Sequence, residues 1–246
     1  MKSCITINLK KDNIVIKINE DFSQEDIMYS LRKKIPELKK LYQSEKTPIV
    51  ITGKVLKIKQ NQDLGKNIED ILSQIEIPDN NKKALLFIAF IRNGLSHFYS
   101  MNLLIEKKLY HSAFSFARVV FDNILRGEYS IYILDDTKID EMFSDLNNWD
   151  FPKAKKMCQK LDEFFGNSFF ENIRKQSYGI MCDFTHTSNN QIARYFNEEK
   201  SLIESNFTDE EIIDLLEGNY NLMKRFAKNC IAFMKAHKLL ENGVNL

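Results

Sequence analysis

The segment Ala113–Leu125, AFSFARVVFDNIL, decides how the long carboxy-terminal part of this chain is read. Its apolar residues recur at three- and four-residue spacings, which predicts a helix packed into a core. Arg118, Asp122 and Arg126 stand at i, i+4 and i+8, so they share one face of that otherwise apolar helix. An arginine in such a place needs a carboxylate or a bound anion, and an internal Arg118–Asp122 ion pair is the simpler of the two outcomes. Phe114, Phe116, Phe121, Tyr129 and Tyr132 lie at helical spacings and are assigned to the core.

Working outward, the same spacing continues on both sides, with Pro152 as the sole proline after residue 80. Helices are expected at about 81–107, 109–135, 137–147, 152–164, 168–196 and 209–241. The long ones are sufficient for an antiparallel bundle. Ile77-Pro78-Asp79-Asn80-Asn81 breaks the pattern and supplies a helix cap, so the expected division is 1–78 and 79–246.

The amino-terminal part has a different period. Ile5, Ile7 and Leu9 alternate with polar residues, as do Ile14, Ile16 and Ile18 after a Lys11-Asp12-Asn13 turn, which reads as a hairpin. Ser23 precedes a helical pattern of Ile27, Leu31 and Ile35, with Pro36 ending it nearby. Residues 48–53, PIVITG, read as a buried strand, Val55–Ile58 as a further strand and Ile68–Ile75 as a short helix. The expected fold class is therefore α+β: a small ββαββα domain followed by an all-α bundle.

Composition narrows the function classes. Lys+Arg 35 against Asp+Glu 34 gives a net charge of +1, which removes bulk electrostatics as an argument for coating nucleic acid or an anionic membrane and leaves room for a local basic groove. Cys4, Cys158, Cys182 and Cys230 form no CxxC pair, so neither a zinc ribbon nor a disulfide framework is expected. The start lacks the continuous apolar run of a signal peptide. The longest apolar run, Ala84–Ile91, is too short to span a bilayer. Cytoplasmic residence is the expectation.

Two further constellations carry possible chemistry. YGIMCDFTHTSNNQIARY places Asp183, His186, Asn190 and Arg194 at helical spacing, with Tyr178 two turns before His186. One such histidine is more often a hydrogen-bonded core residue, but so many polar groups on one stripe each need a partner and suggest a wet site between helices. The string IRNGLSH sets Arg92 and the polar Asn93 ahead of His97, with four residues between arginine and histidine. An imidazole can move protons at a ribose 2′-hydroxyl or a 5′-oxygen, and a guanidinium can hold the phosphate between them. His97, His111, His186 and His237 have no metal-ligand spacing, no Walker or GxGxxG motif surrounds Gly53 or Gly65, and no metal or cofactor is expected.

The amino-terminal pattern ITINLKKDNIVIKI, with PIVITGKVL and a closing helix, resembles the amino-terminal domain of the septum-site inhibitor MinC over residues 4–76. That resemblance implies a docking module for a protein partner. The run HFYSMNLLIEKKLYHSAFSFARVVFDNILRGEYSIYI, with the later YGIMCDFTHTSNNQIARY, resembles HEPN-like helical domains over about residues 84–240, and IRNGLSH is similar to the R-x(4–6)-H motif of HEPN ribonucleases. The resemblance implies a metal-independent endoribonuclease or an effector derived from one, of toxin or antiphage systems, acting on RNA and working as a homodimer. By correspondence Arg118, Asp122, Arg126 and His186 are the matching positions, with Asp122 where glutamate is common. The arginine before His186 is Arg174, too distant for the motif. Either Arg92 and His97 are the active pair, or the site is assembled across helices, or the domain is not a nuclease. A non-catalytic adaptor is the alternative.

Overall fold

The structure, a computed structural model, describes residues 4–10, 13–17, 49–186, 188–196, 201 and 206–246, with side chains from residue 53 onward apart from a few positions. The chain divides into two compact units, Met1–Lys59 and Gln60–Leu246.

In the first unit, strands β1 (Cys4–Lys10), β2 (Asn13–Lys17) and β3 (Ile49–Thr52) form an antiparallel sheet of order β2-β1-β3. Ile7 lies opposite Ile16, and Ile5 opposite Ile51. The helix expected from Ser23 to Ile35 falls outside the described residues.

The α+β expectation with a ββαββα domain is overturned. Val55–Ile58 is not a strand but lies in helix α1 (Gly53–Leu72), whose end absorbs the start of the short helix expected at Ile68–Ile75. From Gly53 to Leu246 the described chain is helical, without a strand. The physical reason lies downstream of Ile58. Asn61, Leu64, Ile68, Ile71 and Leu72 are all buried, at spacings of three and four, and this helical period outweighs a two-residue alternation only four residues long. Val55, expected to sit in a strand, is 50% exposed.

The second unit is a helical assembly. Helices α2 (Lys82–Glu106) and α3 (Tyr110–Tyr132) are joined by a three-residue turn, which makes them antiparallel neighbours. They are followed by α4 (Asp136–Ser144), α5 (Ala154–Phe165), α6 (Phe169–Gln176), α7 (Tyr178–Thr185), α8 (Asn189–Ala193) and α9 (Asp209–Ala236). Helix α3 is the hub, packed by α2, α5, α7 and α9. Phe87, Phe98, Met101, Phe121, Ile124, Leu125, Met223 and Phe226 fill the core between α2, α3 and α9. Gly127 permits a close approach of α9: a Cβ there would lie 2.7 Å from Cζ of Phe226.

Asn81, Asp135 and Thr208 cap α2, α4 and α9 with their side chains, and Thr208 and Glu211 form a reciprocal capping box. Asp162 does the same at a distance, accepting hydrogen bonds from the backbone N–H groups of Phe170 and Glu171 at the start of α6.

The single helix expected over 168–196 is instead three. One helix ends and the next begins at Ser177, and the backbone is non-helical again at His186 and at Ser188. Ser188 starts α8 by accepting from the Gln191 N–H, while its own N–H reaches the Asp183 carbonyl. Serine and threonine side chains that bond nearby backbone favour such caps over helix interiors. The break leaves His186 at the carboxy-terminal cap of α7, exposed.

Candidate functional site

The core periodicity of α3 turns Arg118 and Asp122 toward α7, and α7 is fastened there. Ser115 donates to the Phe184 carbonyl at 2.8 Å, and the rings of Phe121 and Tyr178 pack with centroids 5.8 Å apart. Four side chains then converge. Arg118 Nε lies 3.4 Å from Asp122 Oδ2, and Tyr178 donates its hydroxyl to Asp122 Oδ1 at 3.2 Å. The Arg118 guanidinium sits over the Tyr178 ring, 5.3 Å from its centroid. Arg118 Nη1 is 2.6 Å from His186 Nε2.

The last contact fixes a protonation state. A guanidinium has only donors, so His186 Nε2 must be the acceptor and the ring proton must be on Nδ1. Arg118 stays charged: burial works against it, but Tyr178, Cys182 and Asp122 outweigh that and raise its pKa. Burial, reinforced by the Asp122 carboxylate, raises the Tyr178 phenol, which keeps it a proton donor to Asp122. With side chains 23% and 25% exposed, Arg118 and Asp122 are shielded yet reachable.

The other expected residues are arranged differently. Arg126, one turn beyond Asp122, is exposed and stacked 5.3 Å from the Phe151 ring centroid. Asp183 is half-buried on α7. The Asn190 side chain lies outside the described residues. Arg194 is turned to α9: it donates to Glu211 at 2.7 Å and to the Asn206 carbonyl at 3.1 Å, and covers the Phe207 ring at 4.6 Å.

Arg92 and His97 are not brought together. His97 packs against the Phe116 ring of α3 at 5.7 Å, and burial lowers its pKa. Arg92 lines a cavity of about 810 Å³ with Gln62, Glu69, Tyr99 and Leu103. Five residues of helix separate the two by about 140°, which accounts for the divergence. Asn93 is spent on structure, donating at 2.7 Å to Asn123, which in turn donates to the Phe90 carbonyl. The cavity holds no imidazole, and its carboxylates are engaged, Glu69 by Tyr99 and Glu106 by Gln62. Among the described residues it is the α3–α7 cluster, not Arg92 and His97, that brings a guanidinium, a carboxylate and an imidazole together.

Sequence reasoning missed a second ionic cluster. Glu128, fully buried on α3, accepts from Arg225 at 2.9 and 3.1 Å and from Asn229 at 3.0 Å. The Arg225 guanidinium lies 5.1, 4.3 and 4.6 Å from the rings of Phe165, Phe169 and Phe170. The available signal was a glutamate in the apolar face of α3 facing an arginine inside the apolar pattern of α9.

Among the described residues no group of three or more His, Cys, Asp or Glu side chains could hold a metal ion, and no helix is long and apolar enough to cross a membrane.

Residues 92–245 match the model of a family of unknown function, DUF6988. The chain belongs to that family. No curated protein and no solved structure matches the chain. The DUF6988 span includes all four residues of the α3–α7 cluster, together with Glu128 and Arg225, and excludes the sheet and α1.

Proposed function

We propose that this chain is a HEPN-like, metal-independent endoribonuclease, or an effector derived from one, of a toxin or antiphage system. The 2.6 Å contact of Arg118 with His186 supports this most directly, because it joins a guanidinium and an imidazole from separate helices at a reachable surface. In this reading His186 is the acid/base, Arg118 and Arg126 hold phosphate, and Asp122 and Asp183 orient them. The imidazole takes the proton of a ribose 2′-hydroxyl; the P–O2′ bond forms as the P–O5′ bond breaks, and a proton is returned to the 5′-oxygen. The products are a 2′,3′-cyclic phosphate and a 5′-hydroxyl. The guanidinium carries the charge that grows on the phosphoryl oxygens. Cytoplasmic residence, a homodimer and docking of a protein partner through residues 1–78 belong to the same reading.

The test is incubation of the purified chain with RNA in EDTA. Cleavage by the wild type and its loss in His186→Ala are expected; absence of cleavage, or equal cleavage by His186→Ala, overturns it. A non-catalytic adaptor is the second reading, favoured by the internal pairing of Tyr178, Asp122, Arg118 and His186. In that case Arg118→Ala would lose about 3 kcal/mol of stability or more, as when a partner is removed from a shielded ion pair, and RNA would stay intact.

A further inference from the structure

We propose that an oxyanion of the phosphate class frees His186 by taking Arg118 from it, so that the base is unmasked only when a phosphate is present. The inference rests on the nuclease reading for its purpose but on the geometry for its content.

With its ring proton on Nδ1, His186 can offer only the Nε2 lone pair as a base, and that atom accepts from Arg118 Nη1 at 2.6 Å. A masked lone pair cannot accept a second proton. Asp122 grips the other side of the same guanidinium, at Nε, and Tyr178 both steadies Asp122 and underlies the guanidinium plane. Arg118 is therefore anchored at one edge while Nη1 can change partner. A phosphate oxygen is a better partner than a neutral imidazole, because both ends of the hydrogen bond are then ionised, whereas with the imidazole only the donor is. Once Nη1 turns to phosphate, Nε2 is released beside the group it must act on. The exposed position of His186 at the end of α7 gives the ring room to turn. The ionisable groups acting on Arg118 are Asp122 on α3 and Tyr178 and Cys182 on α7, and Asp122 and Tyr178 are bonded to each other.

The test is long-range proton–nitrogen NMR of the histidine rings in the ¹⁵N-labelled full chain, with inorganic phosphate as an uncleavable probe and His186→Gln to assign the signal. The free wild type should show the Nδ1–H tautomer of His186, with Nε2 at the position of an unprotonated acceptor. Added phosphate should take the Arg118 donor away from Nε2, moving its signal toward the position of an unprotonated nitrogen that accepts no hydrogen bond. In Arg118→Ala the ring should lose its fixed tautomer before phosphate is added and should not respond to it. Arg118→Lys, which keeps the charge but not the fork, should respond more weakly. An Nε2–H tautomer in the free wild type, or an unmoved signal across the phosphate titration, overturns the proposal; should Arg118→Ala not fold, the wild-type titration decides. The two readings fail separately. RNA left intact with a responsive His186 sinks the nuclease and keeps the switch, whereas cleaved RNA with an unresponsive His186 does the reverse.

Discussion

Helix α3 carries two arginine–carboxylate pairs in opposite surroundings. Glu128 is fully buried, chelated by Arg225 and Asn229, and the arginine is boxed by three phenylalanines. Asp122, only six residues earlier, is partly open, and its arginine is shared with an exposed histidine. In the first pair the carboxylate is closed off from solvent and held by two side chains of α9, so it joins α3 to α9, although Arg225 itself is 21% exposed. The second has one arm that meets an exposed histidine at the surface, which is the arrangement the proposed chemistry needs. Residue type does not distinguish the pairs; access and the identity of the third partner do.

The comparison is broken most severely by removing Arg225. Arg225→Ala leaves the Glu128 carboxyl buried with Asn229 alone and empties the aromatic box, and breaking such a pair costs about 3–5 kcal/mol. We expect a fall in Tm on the order of 10 °C by calorimetry. Loss of RNA cleavage without loss of Tm would make the buried pair functional and erase the distinction.

At the open pair the large effect should be on rate. His186→Ala should lower metal-free RNA cleavage at least roughly a hundredfold, the range of a lost general acid–base group, with stability changed by less than about 1 kcal/mol because the side chain is exposed.

The pairs also part company with pH. Burial pushes the Glu128 carboxyl from 4.5 up to about 7, against the pull of Arg225 and Asn229. The folded protein then binds a proton there that the unfolded chain has lost, so this group's contribution to stability is fully present below about 4.5 and falls as pH rises through about 7. Denaturant titrations should show a decline of up to about 3 kcal/mol between those limits, flat above them, and Glu128→Gln should abolish that slope. A slope of the opposite sign would mean that Arg225 holds the carboxylate ionised throughout.

How much of this was readable in advance differs by region for physical reasons. The bundle announced itself because its apolar period runs for tens of residues, and Arg118 and Asp122 were legible because i, i+4 spacing on α3 needs no tertiary information. His186 was legible as a polar intruder, but its meeting with Arg118 depends on the break after α7, which the apolar pattern of residues 168–196 runs straight through. Val55–Ile58 misled because four residues fit either period, and the burial of Leu64, Ile68 and Ile71 that settled the matter is a property of the packed unit. The partnership of Glu128 with Arg225 spans 97 positions and has no local signature.

Tyr178→Phe sharpens the open pair at lower amplitude. It removes one hydrogen bond to Asp122 while leaving the ring under Arg118, so a stability loss of about 0.5–1.5 kcal/mol is expected. As a positioning residue Tyr178 should act on kcat, on the order of tenfold, with KM little changed; a change in KM alone would show that it binds substrate instead.

The smallest expected effect carries the most discriminating information about the sequence motif. Arg92 and His97 satisfy the R-x(4–6)-H spacing, yet Arg92 lines the cavity with Glu69 and Tyr99 while His97 leans on Phe116. Helical geometry alone makes a shared phosphate between them unfavourable, since five positions turn the chain by about 140°. Arg92→Ala should therefore leave RNA cleavage unchanged and alter stability by no more than about 0.5 kcal/mol, as for an exposed side chain. His97→Ala should lose stability through its contact with Phe116, with the remaining folded protein retaining its rate. A joint collapse of activity in both variants, at unchanged Tm, would move the active site from the α3–α7 surface to α2 and make the Arg118–His186 contact a structural tie like that of Arg225 and Glu128.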